Sequence, residues 1–296
     1  MNIELVYWDH SYNTTLLLNL IIVIALFTSL RLFSGTIAHI NASDELFKKD
    51  NPAFGLSVAA VTFAITILLS GTVYGDPDGN MIESAVSIGA YGIAGIILMA
   101  VARIVFDKMA LPNVSLRNEI RKGNMAVAIA DAGNVIASAI IIREIMIWIT
   151  DNTLDALVAL IIAYVVSQAI LTVTTVLRRK MFSFAHAGKS LQKELEEGNI
   201  ALALSFAGRK IGTAFAIGMA VNLVVYEIYE IQSILVPWII ISVLIILLLK
   251  LLSFVAEKII LFQVDTSDEV LEQKNMAVGA LQAVIYISIA ILLAEL

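Results

Sequence analysis

One pattern recurs four times along the chain: a short polar stretch, an asparagine, then a long apolar run rich in small residues. The copies begin Asn51-Pro-Ala-Phe-Gly, Asn124-Met-Ala-Val-Ala, Asn199-Ile-Ala-Leu-Ala and Asn275-Met-Ala-Val-Gly, at spacings of 73, 75 and 76 residues. An internal repeat of this length fixes the architecture before any single residue does, because each copy is one supersecondary unit. Every period holds two apolar stretches, so the unit reads as a two-helix hairpin used four times.

The solvent for these hairpins is lipid. The chain is 59% hydrophobic and 15% charged, against about 25% charged in soluble domains. Crossing a hydrocarbon core takes about 20 apolar residues. Eight segments qualify: about 13–33, 53–74, 84–103, 125–147, 154–177, 200–223, 234–255 and 276–294. The reading is an all-α integral membrane protein, eight transmembrane helices in four parallel two-helix repeats. No stretch is left for a separate soluble domain. The absence of cysteine excludes disulfides, thiolate metal sites and cysteine nucleophiles. His10, His39 and His186 have no ligand spacing, and neither a phosphate-binding glycine loop nor a serine triad appears. No enzyme activity, cofactor or metal is therefore expected. Asp76-Pro-Asp-Gly-Asn80 reads as a turn.

Sixteen of the nineteen Lys and Arg residues fall in or beside the links between spans 1–2, 3–4, 5–6 and 7–8. The positive-inside rule places those links in the cytoplasm and both termini outside. Topology accounts for these basic links, so nucleic-acid binding is not expected. Trp8, Trp148 and Trp238 lie near outer span ends, where amphipathic rings favour the headgroup layer. All four hairpins enter from the same side and are thus parallel repeats.

A short amphipathic piece precedes each even-numbered span. Leu116 and Ile120 are four apart, as are Leu191 and Leu195, which is helical spacing. Asn51, Asn124, Asn199 and Asn275 then cap the helices that follow. The Ala- and Gly-rich even spans should pack inside, since small residues let helices approach in lipid. The Leu- and Ile-rich odd spans should lie outside.

Three charges lie deep inside the even spans, apart from Arg143 and Glu144 near the outer end of span 4. Asp131 lies seven residues past Asn124, about 10 Å into the membrane; Arg209 and Lys210 lie ten and eleven past Asn199, about 15 Å in. Asp131, Asn134 and Ser138 share one helical face; Ser205, Arg209 and Thr213 share another. At the register of Asp131 the other copies carry Val58, Phe206 and Gln282, so the charges belong to particular copies and not to the scaffold. An ionisable group at this depth costs a few kcal/mol and marks a pathway or a pair. Asp131 and Arg209 are expected to face each other between spans 4 and 6, with Gln168 and Gln282 as neutral neighbours. Such a pair either serves a solute or fixes helix register.

The stretch Gly-Asn-Met-Ala-Val-Ala-Ile…Ala-Gly (123–133), repeated at 198–208 and more weakly at 274–284, resembles the bacterial family called domain of unknown function 350. The resemblance implies small inner-membrane proteins, usually of four spans, and hence two tandem four-span modules here, 1–150 and 151–296. It also implies an association with envelope stress or polyamine physiology, since relatives accompany phage-shock-like and glutathionylspermidine-synthase-like proteins. Two functions stay open. One is a channel or transporter for an ion or small charged solute, using Asp131, Arg209 and Lys210. The other is a non-conducting scaffold that binds a partner through the cytoplasmic linkers. The expected partners are the lipid bilayer and either further copies of the chain or a membrane or cytoplasmic protein.

Overall fold

A computed structural model describes residues 17, 20–22, 24, 25, 28, 44–72, 81–149, 154–224 and 231–295. The first expected span, 13–33, lies largely outside the described residues, as do Trp8, His10, His39 and the turn at 76–80. Every described regular element is helical. The long helices are α1 (Pro52–Thr72) and α2 (Met81–Val105), the latter continued by a π turn, Phe106–Ala110. After the short α3 (Leu116–Arg121) come α4 (Met125–Trp148) and α5 (Leu154–Ala185). The short α6 (Leu191–Glu196) leads to α7 (Ile200–Asn222) and α8 (Ile231–Ile260). The short α9 (Thr266–Leu271) and the long α10 (Met276–Ala294) follow. Seven of these helices are long and apolar enough to cross a membrane.

The helices form two layers. The largest interfaces run α1–α4, α4–α7 and α7–α10, so the four asparagine-capped helices stand in an open row. A second layer covers its grooves: α2 packs on α1 and α4, α5 on α4 and α7, and α8 on α7 and α10. The expectation that all even spans are internal holds only for the central pair. In α4 and α7, 83% and 72% of the spanning residues are buried, whereas α1 and α10 reach 39% each, no more than α5 at 44%. The end helices of an open row have a neighbour on one side only.

Row contacts are backbone-close. A Cβ added at Gly133 would lie 2.6 Å from Ala207, and one at Gly279 would lie 2.2 Å from the Ala201 carbonyl oxygen. Gly133 and Gly208 sit nine residues past their asparagines; in the last repeat that register is Val284, which is 58% exposed. A valine there does not permit the same close approach on that face of α10.

The asparagines tie successive repeats together. Each side-chain oxygen accepts from the first turn of its own helix: Phe54, Val127, Leu202 and Ala277 donate their N–H groups. Each amide nitrogen donates to a carboxylate of the preceding short element: Glu45, Glu119, Glu194 or Glu269. Three amides also reach into the next repeat. Asn51 donates to the carbonyls of Ile120 and Arg121, Asn124 to those of Leu195 and Glu196, and Asn199 to that of Val270. Orphan carbonyls at a short helix's C-terminus need such donors. The residue before each asparagine is left-handed: Asp50 (φ 47°), Gly123 (86°), Gly198 (80°) and Lys274 (52°). That conformation closes the short helix through N–H bonds of Asn124 to Glu119 and of Asn199 to Glu194, and it suits glycine best.

Two of the carboxylates sit outside the spanning segments and carry lowered pKa values. Glu119 is held down first by the hydrogen bond from Lys122 and then by that from Asn124; Glu45 is held down first by Lys49 and then by Asn51. A depressed carboxylate stabilises the fold above its unfolded pKa of about 4.3, and that contribution is lost as pH falls below it. Glu119→Gln should therefore flatten the fall in melting temperature between about pH 5 and pH 3. Parallel acid profiles for variant and parent would refute the linkage.

At the other end of the molecule two tryptophans pair. Trp238 is fully buried, its ring 5.4 Å from that of Trp148, whose indole N–H donates to the Val224 carbonyl. The two rings meet at a tilt of 49° between the helix layers.

Candidate functional site: a cationic cavity beside a closed ion pair

Asp131 does not face Arg209. Its carboxylate, 1% exposed, takes a bidentate pair of hydrogen bonds from Arg103 at the end of α2: Nε to Oδ1 at 3.0 Å and Nη2 to Oδ2 at 2.5 Å. The Ser57 hydroxyl on α1 closes the set, accepting from Arg103 at 2.8 Å and donating to Asp131 at 3.3 Å. Charge-assisted fork geometry of this kind is strong and specific. Arg103 thus does more than orient the chain: it is the counterion of a buried acid. On the same face as Asp131, Ser138 donates to the Asn134 carbonyl, and the Asn134 amide nitrogen is buried without a partner.

The next repeat keeps the arginine and loses the acid. Arg103 lies 21 residues before Asn124, and Arg178 lies 21 before Asn199; Asp131 lies seven past Asn124, and Phe206 seven past Asn199. The guanidinium of Arg178 sits 5.5 Å from the Phe206 ring centroid and donates to the Phe206 carbonyl at 3.5 Å. A cation–π contact of about 0.5–2 kcal/mol stands where a bidentate carboxylate stood. This shared register was the signal available in the sequence. It was hidden because both arginines also satisfy the positive-inside count.

Around Arg178 opens a cavity of about 440 Å³ between α5, α7 and α8, with Tyr286 of α10 in its wall. Four cations line it, Arg178, Arg209, Lys210 and Lys250, against one acid, Glu257. Arg209 bonds Glu257 at 3.3 Å, and Gln282 donates to the other oxygen of Glu257 at 3.5 Å. Thr213 donates its hydroxyl to the Arg209 carbonyl. Lys210, 5% exposed, donates to the Thr175 hydroxyl at 3.2 Å and lies 4.3 Å from the Phe106 ring centroid. Among the described residues Arg178, Lys210 and Lys250 make no ion pair. The Ser253 hydroxyl in the same wall is 2% exposed and has no hydrogen-bond partner, and Arg209 Nε is likewise unpartnered. Gln168 is buried with a free amide nitrogen and is not part of the cavity wall. Uncompensated cations in a low-dielectric wall carry a large desolvation cost, which an anion in the cavity would offset.

The apolar helices of membrane-crossing length, in repeated asparagine-capped hairpins, define a multipass α-helical membrane protein. Its family follows from comparison: the chain belongs to the family described as Domain of Unknown Function (DUF350), whose model matches residues 7–146, 80–221 and 151–296. The middle match straddles residue 150, as a unit of two consecutive hairpins would at any starting hairpin. A UPF0719 transmembrane protein from Aquifex aeolicus (strain VF5) is 26% identical over 124 residues, 42% of this chain. The chain spans about half that relative's length, 46%. No solved structure matches the chain.

Proposed function

We propose that this protein is a non-enzymatic transporter for a small anion in a bacterial inner membrane. In this reading it has eight spans in four parallel repeats, with the asparagine ends and basic links cytoplasmic and both termini periplasmic. The helical state of residues 17, 20–22, 24, 25 and 28 supports a first span. The distribution of Lys and Arg supports the orientation. The cavity then lies in the cytoplasmic half of the bilayer. Four cations facing one carboxylate there carry the functional reading. Close packing at Gly133, Gly208 and Gly279 leaves no route through the row itself, so a solute path runs along the flank of α5 and α8. The ion pair of Asp131 and Arg103 has the register-fixing role.

The rival reading is a non-conducting scaffold that docks a protein through its short linker helices. The tight row and the asparagine links between repeats favour it, because a rigid platform needs both. Reconstituted full-length protein decides between them. Labelled anion uptake into proteoliposomes should exceed that of empty vesicles and fall at least tenfold in Arg178→Gln. Uptake equal to that of empty vesicles would sink the transporter.

A further inference from the structure

Resting on the anion reading but not on movement of the anion, we propose that the cavity recognises a phosphate ester, a tetrahedral oxyanion with an organic substituent. Arg178 and Arg209 supply planar forks, which pair bidentately with oxyanions. A halide, a single atom, cannot offer two acceptor atoms to one fork. The cations come from three helices, Arg178 on α5, Arg209 and Lys210 on α7 and Lys250 on α8. They surround the space instead of presenting one plane, an arrangement suited to three or four oxygens more than to a flat carboxylate.

The wall also holds a neutral hydroxyl awaiting a partner, Ser253, and an unused donor, Arg209 Nε. Both are buried and, among the described residues, unpartnered, so a ligand entering the cavity can engage them. With Glu257 already shared by Arg209 and Gln282, the lining keeps four basic side chains against its one acid, a surplus suited to a mono- or dianion.

The volume, about 440 Å³, falls within the range of about 300–1,000 Å³ typical of pockets for organic ligands. Beside three threonines, His186 and Tyr286, the lining has an apolar part, which includes Leu171, Phe182 and Phe206. Met181 and Phe254, 64% and 59% exposed, stand at the outer flank of α5 and α8 and suit the ester substituent. The same chemistry is found in soluble phosphate esters and in the headgroups of anionic lipids, which occupy basic pockets between membrane helices.

Thermal unfolding of the full chain, in detergent and in nanodiscs, tests this. In detergent at fixed ionic strength, glycerol phosphate should raise the melting temperature where chloride and acetate do not. Arg178→Gln should weaken the apparent affinity at least tenfold, and Ser253→Ala about threefold to tenfold. Phe206→Asp, which restores the acid of the Asp131 register, should abolish the shift by supplying an internal counterion. Stabilisation by phosphatidylglycerol over phosphatidylcholine nanodiscs, reduced in Ser253→Ala, would assign the lipid as source. Stabilisation by soluble glycerol phosphate in phosphatidylcholine nanodiscs would assign the free ester. No preference for phosphate esters over chloride, or unchanged affinity in both Arg178→Gln and Ser253→Ala, overturns the proposal. Binding without flux overturns the transporter and leaves this site standing; chloride flux without phosphate binding does the reverse.

Discussion

Gly208→Ala is expected to lower stability by about 3 kcal/mol, near the upper end of overpacking costs, from the addition of one methyl group. The new Cβ would lie 2.4 Å from both Cα and Cβ of Ala283 and 2.9 Å from its carbonyl oxygen. These are backbone-fixed atoms on a facing helix, so no rotamer change relieves the clash and α7 must separate from α10. Lipid offers no hydrophobic force to hold separated helices together, because close packing is itself the attraction. Two other glycines calibrate the effect. A Cβ at Gly95 would meet only the flexible end of Leu68, and one at Gly89 would meet nothing within 4 Å. Gly95→Ala should cost less than about 1 kcal/mol, and Gly89→Ala should be neutral or slightly stabilising. Equal melting temperatures for all three variants in detergent would show that the row is not as close as these distances say.

Asn199→Ala should be of similar size, about 3 kcal/mol. Asn199 is fully buried and saturated: its oxygen accepts from Leu202, and its amide donates to Glu194 and to the Val270 carbonyl of the next repeat. Truncation removes a cap worth about 1 kcal/mol and strands buried acceptors at about 1–3 kcal/mol. Asn199→Asp keeps the cap acceptor but turns an oxygen toward Glu194 and Val270, so it should be no milder at neutral pH. Asn275 is the internal control. Among the described residues its amide bonds only Glu269 of its own repeat, and Asn275→Ala should cost about 1 kcal/mol. A larger loss at Asn275 than at Asn199 would refute the inter-repeat role.

Much of this was legible from residue order. Helix type and capping follow from local rules: apolar runs of spanning length, asparagine before each even span, and glycine before two of the asparagines. Packing partners were less legible. Asp131 was matched to Arg209 because both stood out as charges inside spans, whereas its partner Arg103 was concealed at a span end among bases that serve orientation. Glu257, which holds Arg209, was hidden in the same way near the end of α8. Trp238 looked interfacial because its position along the span was right; its facing, toward Trp148, was not readable. Phe206 at the Asp131 register was visible, but its meaning depended on Arg178 standing over it.

The chain alone determined that lipid is the solvent, that one hairpin unit is repeated, and where each helix is capped. These depend on composition and on contacts within a few residues. The open row, the internal closure of Arg103 on Asp131 and the unbalanced charge around Arg178 were decided only by tertiary structure. Each depends on which helices become neighbours, and in a repeated scaffold every copy carries nearly the same small-residue face, so the sequence offers several neighbours that only the packed molecule chooses among.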